Sequence, residues 1–232
     1  MKMIHDQELM KYYLNSHQLL DIFPEAVIPH FSLCRFDPGE LICSQGEAAQ
    51  YLYVLVKGKV KIYTTSTEGK TLVLSFRTPL EVIGDIEYIR RINFLNTVEA
   101  VSSVDMIFVH HRWLDKYGTN HSPMLRFLLD IITKKFCMKS DYLTFNLLYP
   151  VEVRLASYLL SMCFDEANTL VNGQINAESL KDAANLLGIS QRHLNRVIRQ
   201  FCAQGLIERN KSGIMIKSRE GIHALASQNI YE

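Results

Sequence analysis

A chain of 232 residues with 48% hydrophobic residues and a formal net charge of +1 is long enough for one large domain or two modest ones, each burying its own core. The near-neutral balance excludes a globally basic nucleic-acid binder, so any electrostatic footprint must be local. Met1–Met10 holds His5, Asp6 and Glu8 with no basic run before an apolar one, and no stretch of about 18 apolar residues follows, which reads as a cytoplasmic protein without secretory signal or membrane span.

A polar helix is expected over roughly Gln7–Leu20. Phe31–Val109 then reads as β. Short runs rich in Val, Ile, Leu, Tyr and Phe (Tyr51–Val56, Val60–Tyr63, Thr71–Phe76, Met106–Val109) are cut by Pro38–Gly39, Gly46, Gly58 and Glu68–Gly69, the spacing of an antiparallel sandwich or barrel. The five cysteines, Cys34, Cys43, Cys137, Cys163 and Cys202, are odd in number and scattered. They fit neither a disulfide framework nor a zinc knuckle and read as buried thiols in a reducing compartment.

The character changes at Ser122–Pro123. Met124 to about Phe145 lacks glycine and proline, and Leu125, Leu129, Ile132, Phe136 and Leu143 recur at steps of four and three, with Lys139 interrupting the row. This is a long amphipathic helix whose seam packs either on its own β block or on a second copy of the chain, and its length favours the second copy. A further helix is expected over Val151–Phe164, and Leu170–Ile175 reads as a hairpin turning at Asn172–Gly173.

Ser179-Leu180-Lys181-Asp182 has the grammar of a helix start, Gly188 permits a sharp turn, and Ser190 opens a second helix to about Ala203. On that second helix Leu194, Val197, Ile198 and Phe201 face inward, which leaves Gln191, Arg192, Asn195, Arg196 and Arg199 outside. Such a helix fits the major groove, where arginine reads guanine and Gln or Asn reads adenine. Ser190 and His193 are better placed for phosphate contacts. Leu206–Arg209 and Ile214–Lys217 flank a turn with Lys211 at its tip, a wing whose lysine reaches backbone phosphate. Ser190–Arg219 carries seven basic residues against the one acid Glu208, so the local footprint coincides with this grammar.

These segments resemble the Crp/Fnr family of bacterial regulators. The resemblance is carried by Leu186-Leu187-Gly188-Ile189-Ser190 and Gln200-Phe201-Cys202-Ala203-Gln204-Gly205-Leu206-Ile207. Upstream it runs through Phe36-Asp37-Pro38-Gly39-Glu40-Leu41-Ile42, Gly46-Glu47, Tyr53-Val54 and Gly58-Lys59-Val60-Lys61-Ile62-Tyr63. Gly84-Asp85-Ile86-Glu87-Tyr88-Ile89 and Arg192-His193-Leu194 resemble its YeiL-type branch. The resemblance implies an α+β chain: a cyclic-nucleotide-binding-type β-roll as sensor (1–121), a dimerisation helix (122–148) and a winged helix-turn-helix (149–232). It places the family's base-reading positions on Gln191, Arg192, Asn195 and Arg196. The expected partners are double-stranded DNA, a second copy of the chain and, for an activator, RNA polymerase.

Family members that bind cyclic AMP carry Gly-Glu and, about ten residues on, Arg-Ser or Arg-Thr, whose arginine neutralises the cyclic phosphate. Here the matching positions are Gly84-Asp85 and Asn96-Thr97. Asparagine supplies no charge-assisted bond to phosphate, so a cyclic nucleotide is not expected, although Arg90 and Arg91 lie between. Clustered N-terminal cysteines, as in iron–sulfur members, are absent, so neither a cluster nor another metal is expected. His110, His111 and His121 read as capping or solvent-facing. No phosphate loop, nucleophile elbow or zinc-protease motif occurs, which leaves no catalytic residue and no enzyme. The competing readings are a β-roll module that regulates a protein partner, which the winged helix argues against, and a redox-sensing iron–sulfur regulator.

Overall fold

The computed structural model describes residues 1–163, 174–175, 177–210 and 213–226. In chain order these form β1 (Lys2–Ile4), α1 (Gln7–Ser16), α2 (Leu19–Ile22), β2 (Ser32–Phe36), β3 (Leu41–Cys43), β4 (Tyr51–Lys57), β5 (Val60–Thr65), β6 (Thr71–Arg77), β7 (Glu81–Ile83), α3 (Asp85–Arg90), β8 (Thr97–Ala100), β9 (Val104–His110), α4 (His111–Tyr117) and α5 (Ser122–Leu148). There follow α6 (Val151–Cys163), β10 (Gln174–Ile175), α7 (Ala177–Leu187), α8 (Gln191–Ala203), β11 (Ile207–Asn210), β12 (Gly213–Ile216) and α9 (Arg219–Leu225). Two compact units result, Met1–Lys70 with Leu74–Cys137, and Met138–Glu232 with Thr71–Val73.

In the first unit, a five-stranded sheet of order β1-β2-β9-β4-β7 faces a four-stranded sheet of order β3-β8-β5-β6. Successive side chains of a strand point to opposite faces, and here both faces of the central strands are covered. Cys34, Tyr53, Leu55 and Met106 point into the core that both sheets line, while Leu33, Leu52, Val54, Ile107 and Val109 point to a second core with Tyr13, Leu14, Leu19, Phe23 and Leu114. Met124, Leu128 and Ile131 of α5 close this second core, so one stripe of the long helix belongs to the sheet.

Two local expectations change. The N-terminal helix does not run to Leu20: Gln18 adopts a left-handed conformation, φ 54°, and splits it into α1 and α2. α7 begins at Ala177, which leaves Ser179 inside the first turn rather than at its cap. The turn expected at Asn172–Gly173 lies outside the described residues, while β10 beside it pairs with β12. Helices α3, α4 and α9 were not resolved by periodicity, being only six or seven residues each.

The most deeply buried charged group of this unit is a carboxylate. Asp105 is fully buried on β9, and its carboxylate accepts from Arg35 Nε and Nη2 at 2.6 and 2.8 Å and from Tyr13 Oη at 2.8 Å. Burial acts to raise its pKa, but the Arg35 and Tyr13 hydrogen bonds outweigh it and hold the carboxyl below the usual range. A folded-state pKa below the unfolded one contributes stability above the unfolded value, about 3.9 for Asp, which is lost as pH falls through the folded value. Tyr13→Phe is therefore expected to cost about 2 kcal/mol in urea unfolding at pH 7. The deficit should shrink as pH falls through the lowered Asp105 pKa and the carboxyl protonates in both proteins; a deficit unchanged over that acid range would show that lost packing, not the charged bond, carries the effect.

Candidate nucleic-acid interface

The second unit is built around a short turn between two helices. Gly188, φ +63°, takes the chain out of α7, and Ile189 N–H returns to the Ala184 carbonyl at 3.1 Å. The last carbonyls of α7 are held by side chains, since Tyr142 Oη donates to Leu186 O and Arg154 Nη1 donates to Leu187 O at 2.9 Å. Arg154 also donates to Asn146 Oδ1 at 2.9 Å, so α5, α6 and α7 are fastened together at the point where the turn begins. Burial pushes the Tyr142 hydroxyl up to about 12, and it stays a donor.

Helix α8 starts at Ser190, whose side chain accepts from His193 N–H at 3.2 Å. Leu194, Val197, Ile198 and Phe201 are buried, as the sequence pattern requires. Ser190, Arg192, His193, Arg196 and Arg199 line one open cavity of about 410 Å³. Arg192, Arg196 and Arg199 stand at i, i+4 and i+7, so three guanidinium groups share one helix face. Arg196 Nη2 lies 2.8 Å from His193 Nε2 and donates to it, because a guanidinium has no acceptor, and Arg199 Nε donates to Asn195 O at 3.3 Å.

Gln191 is exposed to the side of this cavity, and Asn195 is half-buried, its Oδ1 accepting from Arg209 Nη1 at 2.9 Å. Arg209 was not singled out from the sequence. It lies on β11, which pairs antiparallel with β12 as the wing from Ile207↔Ile216 to Asn210↔Gly213. The signal was its place in the basic run, but only the fold brings the wing strand against α8. Lys217 of the same run pairs with Glu208 at 2.6 Å, and Lys211 lies outside the described residues.

The residues matched to a cyclic-nucleotide pocket are placed differently. Gly84, φ +89°, opens α3 where a Cβ would press on the Tyr51 carbonyl. Both oxygens of the buried Asp85 accept from Lys135 Nζ of α5, at 3.0 and 2.9 Å. Lys135 also pairs with Glu81 at 2.7 Å and donates to Val82 O at 2.6 Å, and Glu81 pairs with Arg77 at 3.3 Å. Burial acts to lower the Lys135 pKa, but Glu81 and Asp85 more than offset it, so the ammonium stays charged. Thr97 Oγ1 accepts from Gln45 N–H at 3.0 Å, and Asn96 is half-buried with its carbonyl 3.9 Å from Cys43 Sγ. Arg91 is not merely solvated, because it holds Asp115 through two hydrogen bonds of 3.1 and 2.5 Å.

Cys34 and Cys43 are buried, their thiols pushed up to about 12 by desolvation, whereas Cys137 is exposed, against the expectation that every thiol is interior. His110 caps α4 by accepting from Arg112 N–H, but His111 is buried rather than solvent-facing. Among the described residues no three His, Cys, Asp or Glu side chains gather as a metal set, and no helix is long and apolar enough to cross a membrane.

Residues 33–117 match the family model of the cyclic nucleotide-binding domain, and residues 153–225 match that of the Crp-like helix-turn-helix domain. The chain belongs to the Crp/Fnr family. The regulatory protein YeiL of Escherichia coli O157:H7 is 27% identical over 206 residues, covering 89% of this chain and 90% of that one. The cAMP-activated global transcriptional regulator CRP of Salmonella typhimurium is 21% identical, covering 83% and 92%. The fold matches the crystal structure of a transcriptional regulator assigned to the Crp/Fnr family from Eubacterium rectale, with a TM-score of 0.81 at 18% identity over 92% of this chain and all of that one. This Crp/Fnr protein is a DNA-binding transcription regulator and not an enzyme.

The cap at Ser190 sets where α8 begins. Ser190→Ala is expected to cost about 1 kcal/mol and Ser190→Gly only a few tenths. Amide exchange at residues 191–194 checks this, and equal protection in the parent and the alanine variant would contradict the cap.

Proposed function

We propose that this Crp/Fnr regulator works in the cytoplasm as a homodimer on a palindromic operator. In this reading, residues 1–121 are the sensor, 122–148 the dimerisation helix and 149–232 the DNA-binding domain. Arg192 and Arg196 read guanine edges from the α8 cavity, and Gln191 and Asn195 contribute adenine-type contacts. Ser190, His193, Arg199 and Lys211 hold phosphates. RNA polymerase is a second partner if the regulator activates. The observation that carries the proposal is the shared face of Arg192, Arg196 and Arg199 on a helix whose opposite face is fully buried. For dimerisation, the support is the uncovered stripe of α5, on which Leu125, Leu129, Phe136 and Leu143 are exposed.

We further propose that cyclic AMP is not the effector. Asn96 stands where cyclic-AMP-binding members place arginine, and Lys135 already occupies both oxygens of Asp85, which supports this reading. Titration calorimetry with cyclic AMP and cyclic GMP should show no saturable heat in the micromolar range, and a micromolar dissociation constant for either would overturn it.

Arg196→Ala should lose roughly 1–3 kcal/mol of discrimination at one base pair and flatten preference there. Lys211→Ala should weaken all sites alike and lower the salt slope by about one unit. Competition binding on a randomised operator library compares the two. Retention of the parental site ranking by Arg196→Ala, or a scrambled ranking with Lys211→Ala, would contradict the assignment of reading helix and wing.

A further inference from the structure

A cavity of about 360 Å³ lies on the first unit, with neither Asp85 nor Lys135 among its lining residues. Its walls come from the loop before β4 (Ala48, Ala49, Gln50), the C-terminal end of α3 with the residues after it (Glu87, Arg91, Ile92, Asn93), and the β9–α4 junction (His110, His111, Arg112, Asp115). That volume falls within the range of small-molecule pockets.

His111 is 7% exposed, and its Nε2 has no hydrogen-bond partner, although buried ring nitrogens are ordinarily satisfied. Burial, with the nearby Arg91 charge, lowers its pKa to about 4, so the ring is neutral at physiological pH. The ring's hydrogen bond to the Tyr51 backbone favours the protonated ring, so the ring donates it, through Nδ1. A neutral imidazole that donates from Nδ1 leaves a lone pair on the buried Nε2, and His111 is one of the residues that line the cavity.

Charge at the cavity divides into a satisfied part and an open part. Arg91 and Asp115 neutralise each other through their paired hydrogen bonds, and the Arg91 guanidinium stacks on Tyr88 at 4.8 Å. Glu87 is 8% exposed and gives one oxygen to Leu95 N–H at 3.0 Å, which leaves its second oxygen available. Arg112 is exposed over the Trp113 ring at 4.9 Å and has no carboxylate partner among the described residues. The lining therefore holds two buried side chains with acceptor capacity to spare, His111 through its unpartnered Nε2 and Glu87 through its second oxygen, and one exposed guanidinium, Arg112. That set complements a molecule with a protonated amine and a carboxylate. Because no third metal-type ligand gathers with His111, the lone pair calls for an N–H donor rather than a cation such as zinc.

We propose that this β-roll carries a small-molecule site around His111 that takes a zwitterion of the α-amino-acid class. The ammonium donates to His111 Nε2 and Glu87, and the carboxylate accepts from Arg112.

The test uses the full chain and the twenty L-α-amino acids singly, scored by saturable thermal stabilisation and confirmed by calorimetry. At least one is expected to bind, and its deaminated α-keto acid is expected not to. Arg112→Glu, an exposed change that leaves the fold intact, should weaken binding roughly tenfold or more, since it replaces a charge-assisted bond with repulsion. His111→Phe, checked for folding by circular dichroism, should do the same, while Arg192→Ala in α8 should leave the affinity unchanged. Stabilisation by none of the twenty, equal binding of the keto acid, or parental affinity in Arg112→Glu would overturn the proposal.

Discussion

Helix α5 carries apolar side chains in two adjacent stripes, and among the described residues only one of them is covered. Met124, Leu128 and Ile131 are buried in the β-roll core. One residue further on at each step stand Leu125, Leu129 and Ile132, a row that Phe136 extends; Leu129 is exposed by 65% and Phe136 by 72%, and Leu143 and Leu147 continue it at 60% and 74%. Apolar surface costs about 25 cal/mol per Å² when left in water, and a contiguous row of large side chains on one helix is a surface that solvent alone does not stabilise. Steps of four, three and four suit the same stripe of an identical helix, where each side chain packs between those of its partner. Of the two coverings that the sequence leaves open, the β-roll core takes Met124, Leu128 and Ile131 and leaves Leu125, Leu129 and Phe136 exposed, which supports the proposed pairing with a second copy.

Tyr142 near the end of α5 and Arg154 on α6 link this helix to the helix-turn-helix. Tyr142 and Arg154 hold the last carbonyls of α7, and α7 leads through Gly188 directly into the arginine-bearing α8. Pairing through Leu143 and Leu147 would therefore fix the separation of two reading helices, the quantity that a palindromic site tests. Nearer its start, α5 is tied to the β-roll by Lys135, whose ammonium lies among Glu81, Asp85 and the Val82 carbonyl. Removing one partner from such a buried set leaves a charge uncompensated, so α5 is held in register with α3 and β7.

Much of this was legible in the residues. The strands around Tyr51–Val56 and Met106–Val109 announced themselves through β-branched and aromatic runs between glycines, and α8 through four apolar residues at helical spacing. Lys135 was legible in principle: it continues the buried stripe Met124, Leu128, Ile131 by a further step of four, where a lysine demands a buried partner. It passed unnoticed because the neighbouring stripe dominated the pattern. Arg209 and its bond to Asn195 were beyond reach, since strand-to-helix contacts across a turn leave no periodic trace. The same holds for His111, which followed another histidine at a strand end and looked solvated. Its burial depends on three segments far apart in sequence, the loop at Ala48, the end of α3 and the start of α4.

Paired presentation of two α8 helices depends on what covers the outer stripe of α5. Sedimentation equilibrium of the parent and of Phe136→Glu at micromolar concentration tests it directly, with operator affinity measured on the same samples. Phe136 is exposed within its own chain, so the substitution should leave each protomer folded. The parent should sediment as a dimer, and the variant as a folded monomer with weakened operator binding. A parent that stays monomeric with and without DNA, or a variant that dimerises as tightly as the parent, would contradict the account.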